Sequence, residues 1–162
     1  MAPPHTALSR RRLLGAGAGV LVGTLAGCTR LSEFIADYAV GDVNLFNLSK
    51  DQLTGPLELG DPDSDVVLDE AVNLAPESGD KDGEPSVIYE DVLTTAGTYR
   101  LEFQFEATGP SDRSTVGAAE ELDIADPGDE KIVVFFSERW TDEFLTIRAI
   151  EDFAELEDDF EN

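Results

Sequence analysis

Three groups of side chains in this sequence have types and spacings from which chemistry could be built. Cys28 is the single cysteine and closes the run Leu25-Ala26-Gly27-Cys28. With no second thiol, it cannot form a disulfide within the chain, and the fold must do without one. Asp61, Asp63 and Asp65 alternate as carboxylates do at the opening of a calcium-binding loop, where a hard cation takes clustered oxygen ligands. An EF-hand is nevertheless excluded, because its sixth-position glycine is Val66 here and its twelfth-position glutamate is Val72. Two readings remain for the three aspartates: a looser calcium site at a sheet edge, helped by Asp80 and Asp82, or a solvated acidic turn. The third group is Asn47-Leu48-Ser49, which fits the acceptor triplet for N-glycosylation.

What precedes Cys28 decides how its sulfur is read. Ser9-Arg10-Arg11-Arg12-Leu13-Leu14 leads into an apolar, glycine- and alanine-rich run that ends at Thr24. The run is short against the about 20 residues that span a bilayer as a helix, and its glycines weaken a helix further. The joined pattern resembles twin-arginine lipoprotein signals, in which Ser9, Arg10, Arg11, Leu13 and Leu14 would form the export motif. Leu25, Ala26, Gly27 and Cys28 would form the lipobox. Two positions depart from that family's preference, with Leu13 where phenylalanine is favoured and Leu14 where lysine is. The resemblance implies export in the folded state, removal of residues 1–27, and a two-chain lipid on Cys28. Each buried methylene contributes about 0.8 kcal/mol, so two chains hold a protein stably where one holds it reversibly. The expected location is the outer face of the cytoplasmic membrane, with membrane lipid as the first partner.

Loss of the leader would also narrow the chemistry. His5 is the only histidine and would leave with it. The mature chain would then lack imidazole and free thiol, which excludes Ser-His-Asp and Cys-His catalysis and histidine-ligated zinc or copper. Paired carboxylates could serve glycoside hydrolysis, but among 35 acidic residues some pair is always close, so proximity has no diagnostic value. No glycine-rich phosphate loop is present. A non-enzymatic protein is expected, with no cofactor beyond the lipid.

Three of the 11 basic residues lie in the leader, and every acidic residue lies after it. Eight basic residues then face 35 acidic ones over the remaining 135 residues, an excess of 27 negative charges. Such a surface repels nucleic acid and anionic head groups. Apolar alternation between the charges argues against disorder as the explanation. A folded domain suited to high salt fits better, since the screening length falls to about 3 Å at 1 M. Acid-rich, lysine-poor chains with such leaders look like those of extremely halophilic archaea.

The elements that would carry these residues read as strands. Thr98 to Ala107 places Tyr99, Leu101, Phe103 and Phe105 on one side and Arg100, Glu102, Gln104 and Glu106 on the other, the period-two pattern of a half-buried strand. Val43 to Leu48, the stretch around Leu57 and Leu59 after Gly55-Pro56, Val66 to Leu74, Val87 to Leu93, and Val116 to Ile124 are further candidates. Ile132 to Phe136 is continuously apolar and suits a central strand, and Leu145 to Ile150 is the last. Turns are expected at Asp61 to Asp65, Ala96-Gly97, Gly109-Pro110, Pro127-Gly128 and the loop between Trp140 and Phe144, with a longer loop from Pro76 to Pro85.

Seven or eight short strands without a long helical pattern predict an all-β chain, an antiparallel β-sandwich. Ala96-Gly97-Thr98-Tyr99 followed by the alternating strand resembles the Gly-x-Tyr segment of immunoglobulin-like domains on microbial surfaces. That resemblance offers Tyr99 a corner role, beside the plainer one of a core aromatic. The expected organisation is a signal over 1–27, a lipidated N-terminus and tether over 28–42, the sandwich over 43–150, and an acidic tail over 151–162. In the tail Phe153, Leu156 and Phe160 have helical spacing, which leaves a frayed helix and a disordered tail both open.

The function expected from these features is a membrane-tethered, non-catalytic domain that binds or positions another envelope protein or glycan. The alternative is a small-ligand or cation-binding accessory subunit of a membrane transporter. The length weighs against the latter, because a two-lobed receptor needs more chain to close over a ligand.

Overall fold

The strongest alternation of the sequence becomes the longest strand of the computed structural model, which describes residues 40–79, 83–138 and 143–156. The strands in chain order are β1 (Val43–Asn47), β2 (Gln52–Gly60), β3 (Val66–Leu74), β4 (Ser86–Tyr89), β5 (Gly97–Thr108), β6 (Thr115–Ile124), β7 (Lys131–Phe136) and β8 (Leu145–Ile150). They form two four-stranded sheets, ordered β4-β1-β7-β8 and β3-β2-β5-β6. The expected β-sandwich is therefore the fold, with eight strands among the described residues. All neighbours run antiparallel except β1 and β7, which are parallel, with Val43 opposite Ile132 and Asn47 opposite Phe136.

Period two decides what each strand buries. On β5, Tyr99, Leu101, Phe103 and Phe105 are buried and Arg100, Gln104 and Glu106 are exposed. Facing them across the sandwich are Val43 and Leu45 of β1 and Ile132, Val134 and Phe136 of β7, all in one apolar cluster. Phe103 and Phe105 stack with ring centres 4.8 Å apart, and Phe136 meets Phe103 edge-on at 5.7 Å. Such aromatic pairs contribute about 0.5–1.5 kcal/mol beyond the area they bury.

β1 and β7 are apolar without alternation because both of their faces are covered. Phe46, Leu48, Val133 and Phe135 point away from the main core into a second cluster with Ile150 and Leu156. A single 3-10 turn over Phe153–Leu156 contributes to it: Leu156 is buried, and Phe153 meets the edge of the Phe46 ring at 6.5 Å. Residues 153–156 thus pack on the sandwich through Leu156 and Phe153.

Two further expectations change. Gly55-Pro56 was expected to open a short stretch, yet both residues lie inside β2, a central strand. The pairing of β2 with β5 skips them, while the pairing with β3 continues through Pro56 opposite Ala71. Proline has no N–H to donate there, and a side chain at Gly55 would run into the Gln104 carbonyl oxygen. Val92 and Leu93 do not continue β4. The Asp42 carboxylate accepts both of their N–H groups, at 2.9 and 3.0 Å, and holds them in the connection to β5.

The residues of the proposed leader, including Ser9, Arg10, Arg11, Leu13 and Leu14, lie outside the described residues. So do Leu25 to Cys28, the tether as far as residue 39, Asp80, Asp82, the segment from Trp140 to Asp142, and Phe160.

Candidate functional site

Asp61, Asp63 and Asp65 all fall in the β2–β3 hairpin, where the Asp61 carboxylate is occupied with the backbone. Asp61 Oδ1 accepts the N–H of Asp63 and of Asp65, each at 2.9 Å, while the Asp61 N–H donates to the Asp65 carbonyl at 2.8 Å. This is an Asx turn, in which a side-chain carboxylate replaces a backbone acceptor and lets Ser64 take φ 68°. Asp63 and Asp65 stand in solvent. Among the described residues, no group of three or more candidate ligands lies close enough to hold a metal ion.

Asn47 is fully buried at the end of β1. Its Nδ2 donates to the carbonyls of Asp51 at 2.8 Å and Ala75 at 2.9 Å, with Leu74 at 3.3 Å. Its Oδ1 accepts from Ser49 Oγ at 2.7 Å. The triplet that matched an acceptor for glycans thus forms a buried polar knot joining β1 to the end of β3. A sugar on Nδ2 would remove a donor hydrogen from that knot and would need a path to solvent that the buried amide lacks.

Tyr99 fills both roles that the sequence left open. Its ring is fully buried in the main core. Its hydroxyl donates to the Thr95 carbonyl at 2.8 Å and accepts from the N–H groups of Thr94 and Thr95, both at 3.2 Å. That is a tyrosine corner: a hydroxyl reaching back to backbone a few residues upstream.

One concave feature among the described residues lies elsewhere, along one side of the sandwich. There β6, at the edge of one sheet, approaches β8, at the edge of the other, and the two enclose a cleft of about 640 Å³. Val116 and Ala118 of β6 and Leu145 and Ile147 of β8 are its apolar members, in a lining that is more polar than apolar. Arg113, Arg148, Glu120 and Glu143 supply its charges.

Arg113 is the unusual member. Its guanidinium carbon sits 3.5 Å from the centre of the Phe144 ring, a cation–π contact of the kind worth about 0.5–2 kcal/mol. Its Nε is buried and has no hydrogen-bond partner. Buried polar groups are nearly always satisfied, and one left unpaired costs about 1–3 kcal/mol, more when charged. Arg100 shows the ordinary arrangement for comparison, with Glu102 2.5 Å from its guanidinium; that hydrogen bond and the carboxylate charge raise the Arg100 pKa. In a chain so rich in carboxylates, a guanidinium that rests on a ring and whose Nε has no acceptor among the described residues stands out.

Sequence reading passed over Arg113 and took Phe144 only as the end of a loop; the two lie just before β6 and β8, strands of different sheets. The available signal was compositional: an arginine is conspicuous where cations are so few.

Fold and cleft together define the class, an eight-stranded β-sandwich with a charged cleft along the open side of its two sheets. Nothing narrower comes from known proteins: no family model matches the chain, and no curated protein or solved structure matches it either.

Proposed function

We propose that this chain is a lipid-anchored β-sandwich, held at the outer face of the cytoplasmic membrane in a salt-rich setting, that binds or positions another component of the cell envelope without catalysing a reaction. The leader pattern ending at Cys28 supports the address. The observation that carries the binding half is the β6–β8 cleft, with its hydrogen-bond-deficient Arg113 over Phe144. Recognition sites are typically concave and orient their ligand with a few precisely placed polar groups. The rival reading, an accessory subunit that carries a small solute or cation for a transporter, calls for convergent ligand oxygens. The Asp61 turn spends its carboxylate on backbone N–H groups instead.

Fractionation and cross-linking test both halves. Cys28→Ser should release the protein from the membrane, and replacing Arg10 and Arg11 by lysine should hold precursor inside the cell. A Cys28→Ser protein that stays wholly membrane-bound would overturn the anchor. Cross-linking in intact cells should trap one discrete adduct with an envelope protein or glycan; a protein that yields only monomer would overturn the binding role.

A further inference from the structure

The cleft has the features of a peptide site, not of a sugar site. Sugars dock on open aromatic faces, whereas the ring in this cleft, Phe144, already has Arg113 over one face. Extended peptides dock on open strand edges, and two such edges meet here. Among the described residues β6 pairs only with β5, and β8 only with β7, so each leaves one row of main-chain donors and acceptors without a sheet partner. An extended segment that adds to such an edge gains a ladder of main-chain hydrogen bonds.

Of the two edges, the first half of β6 is the better template. Gly117, Ala118 and Ala119 present almost no side chain there, so another backbone can approach closely. The second half of the strand carries Glu120, Glu121 and Asp123, which repel an acidic guest and confine it to the end nearest Arg113. Arg113 lies two residues before this template, and among the described residues its Nε has no hydrogen-bond partner. Its fork matches a carboxylate in geometry as well as charge.

We propose that the first half of β6 accepts an extended acidic peptide segment of an envelope partner, paired with the strand edge and placing one carboxylate on Arg113. This rests on the reading of the protein as an envelope-binding domain, and it names the chemical class of the partner. Glu120, with Glu121 and Asp123 further along β6, sets a limit: a guest with carboxylates at every position is repelled, so one or two acidic side chains flanked by neutral ones fit best.

Fluorescence anisotropy on the full chain in molar KCl tests the proposal. The probe is a labelled heptapeptide, Thr-Val-Glu-Val-Thr-Val-Thr, compared with the same peptide carrying Gln for Glu and with one N-methylated at alternate residues. The acidic peptide should bind, and the Gln and N-methyl versions should bind about tenfold more weakly or not at all, the scale of one lost charged hydrogen bond. Arg113→Gln should weaken binding by a similar factor, and Arg113→Lys by less. Arg100→Gln should leave it unchanged, and melting curves of each variant show that the fold persists. Equal binding of the Gln peptide would overturn the charge assignment, and equal binding of the N-methyl peptide would overturn strand addition. Stronger binding of oligogalacturonate than of the acidic peptide would replace the peptide by a glycan. Failure of every peptide while cross-linking still traps an envelope partner would sink this inference alone; failure of both would sink the envelope-binding reading as well.

Discussion

The hydroxyl of Tyr99 donates to the carbonyl of Thr95, four residues upstream, at a distance of 2.8 Å. The same oxygen accepts two backbone N–H groups, so one phenol satisfies three main-chain groups at the entry to β5. Tyr99→Phe keeps the ring in the core and strips those partners. Stability should fall by about 1–3 kcal/mol, the range for buried groups left unpaired, and the melting temperature by roughly 5–15 °C. An unchanged melt would show that water replaces the hydroxyl without loss.

Asp61 and Asp63 make opposite forecasts from neighbouring positions. Asp61→Ala removes the acceptor of two backbone N–H groups and should cost about 1 kcal/mol. Asp63→Ala, at an exposed position, should stay within about 0.5 kcal/mol of the parent. Calcium binding in molar KCl should be weak and non-stoichiometric. A saturable one-to-one isotherm in the micromolar range, abolished by Asp63→Asn, would reveal a built cation site instead.

Salt should control folding. Residues 28–162 carry 27 more negative than positive charges, and a domain is stable by only about 5–15 kcal/mol. Diluting from 3 M to 0.1 M KCl lengthens the screening distance to about 10 Å and lets the charges repel one another. Cooperative unfolding followed by circular dichroism should shift to a much lower temperature on dilution. Identical melts at the two concentrations would refute the idea.

Alkaline pH offers a further handle on the fold. Burial, reinforced by the negative charge of Glu70, raises the Tyr89 pKa above its ordinary 10.0. The unfolded chain therefore releases this proton at lower pH than the folded domain does. The contribution is complete below about pH 10 and is lost as pH rises through the folded value. Tyr89→Phe should flatten the decline of stability above pH 10; an undiminished slope in the variant would place the effect elsewhere.

Local pattern made much of this architecture legible before any coordinates. Tyr99 to Phe105 alternate so strictly that their strand and its buried face could be read directly. The unbroken apolar run of β7 marked a strand covered on both sides, and Val133 and Phe135 show what it needs both sides for. What stayed illegible depends on partners far away in the chain. Gly55 and Pro56 look like a break, and only the approach of Gln104 from β5 explains their place inside a strand. No local signal announces that β1 will lie parallel to β7, or that Arg113 will rest on Phe144. The glycan triplet at Asn47 was legible as a pattern and misleading as chemistry, because burial cannot be read from three residues.

The parallel pairing of the first strand with the seventh has a consequence for how the chain is made. Val43 to Asn47 sit centrally in their sheet, and one of their two partners is Lys131–Phe136. During vectorial synthesis, β1 emerges early and waits for a partner that is among the last segments to appear. Its apolar residues stay exposed through most of translation, and the sandwich closes only when the chain is nearly complete. Domains dominated by such long-range pairings fold slowly. Truncation anywhere before β7 should therefore yield an unfolded fragment, not a smaller domain, which ties release of a folded molecule to completion of the whole chain.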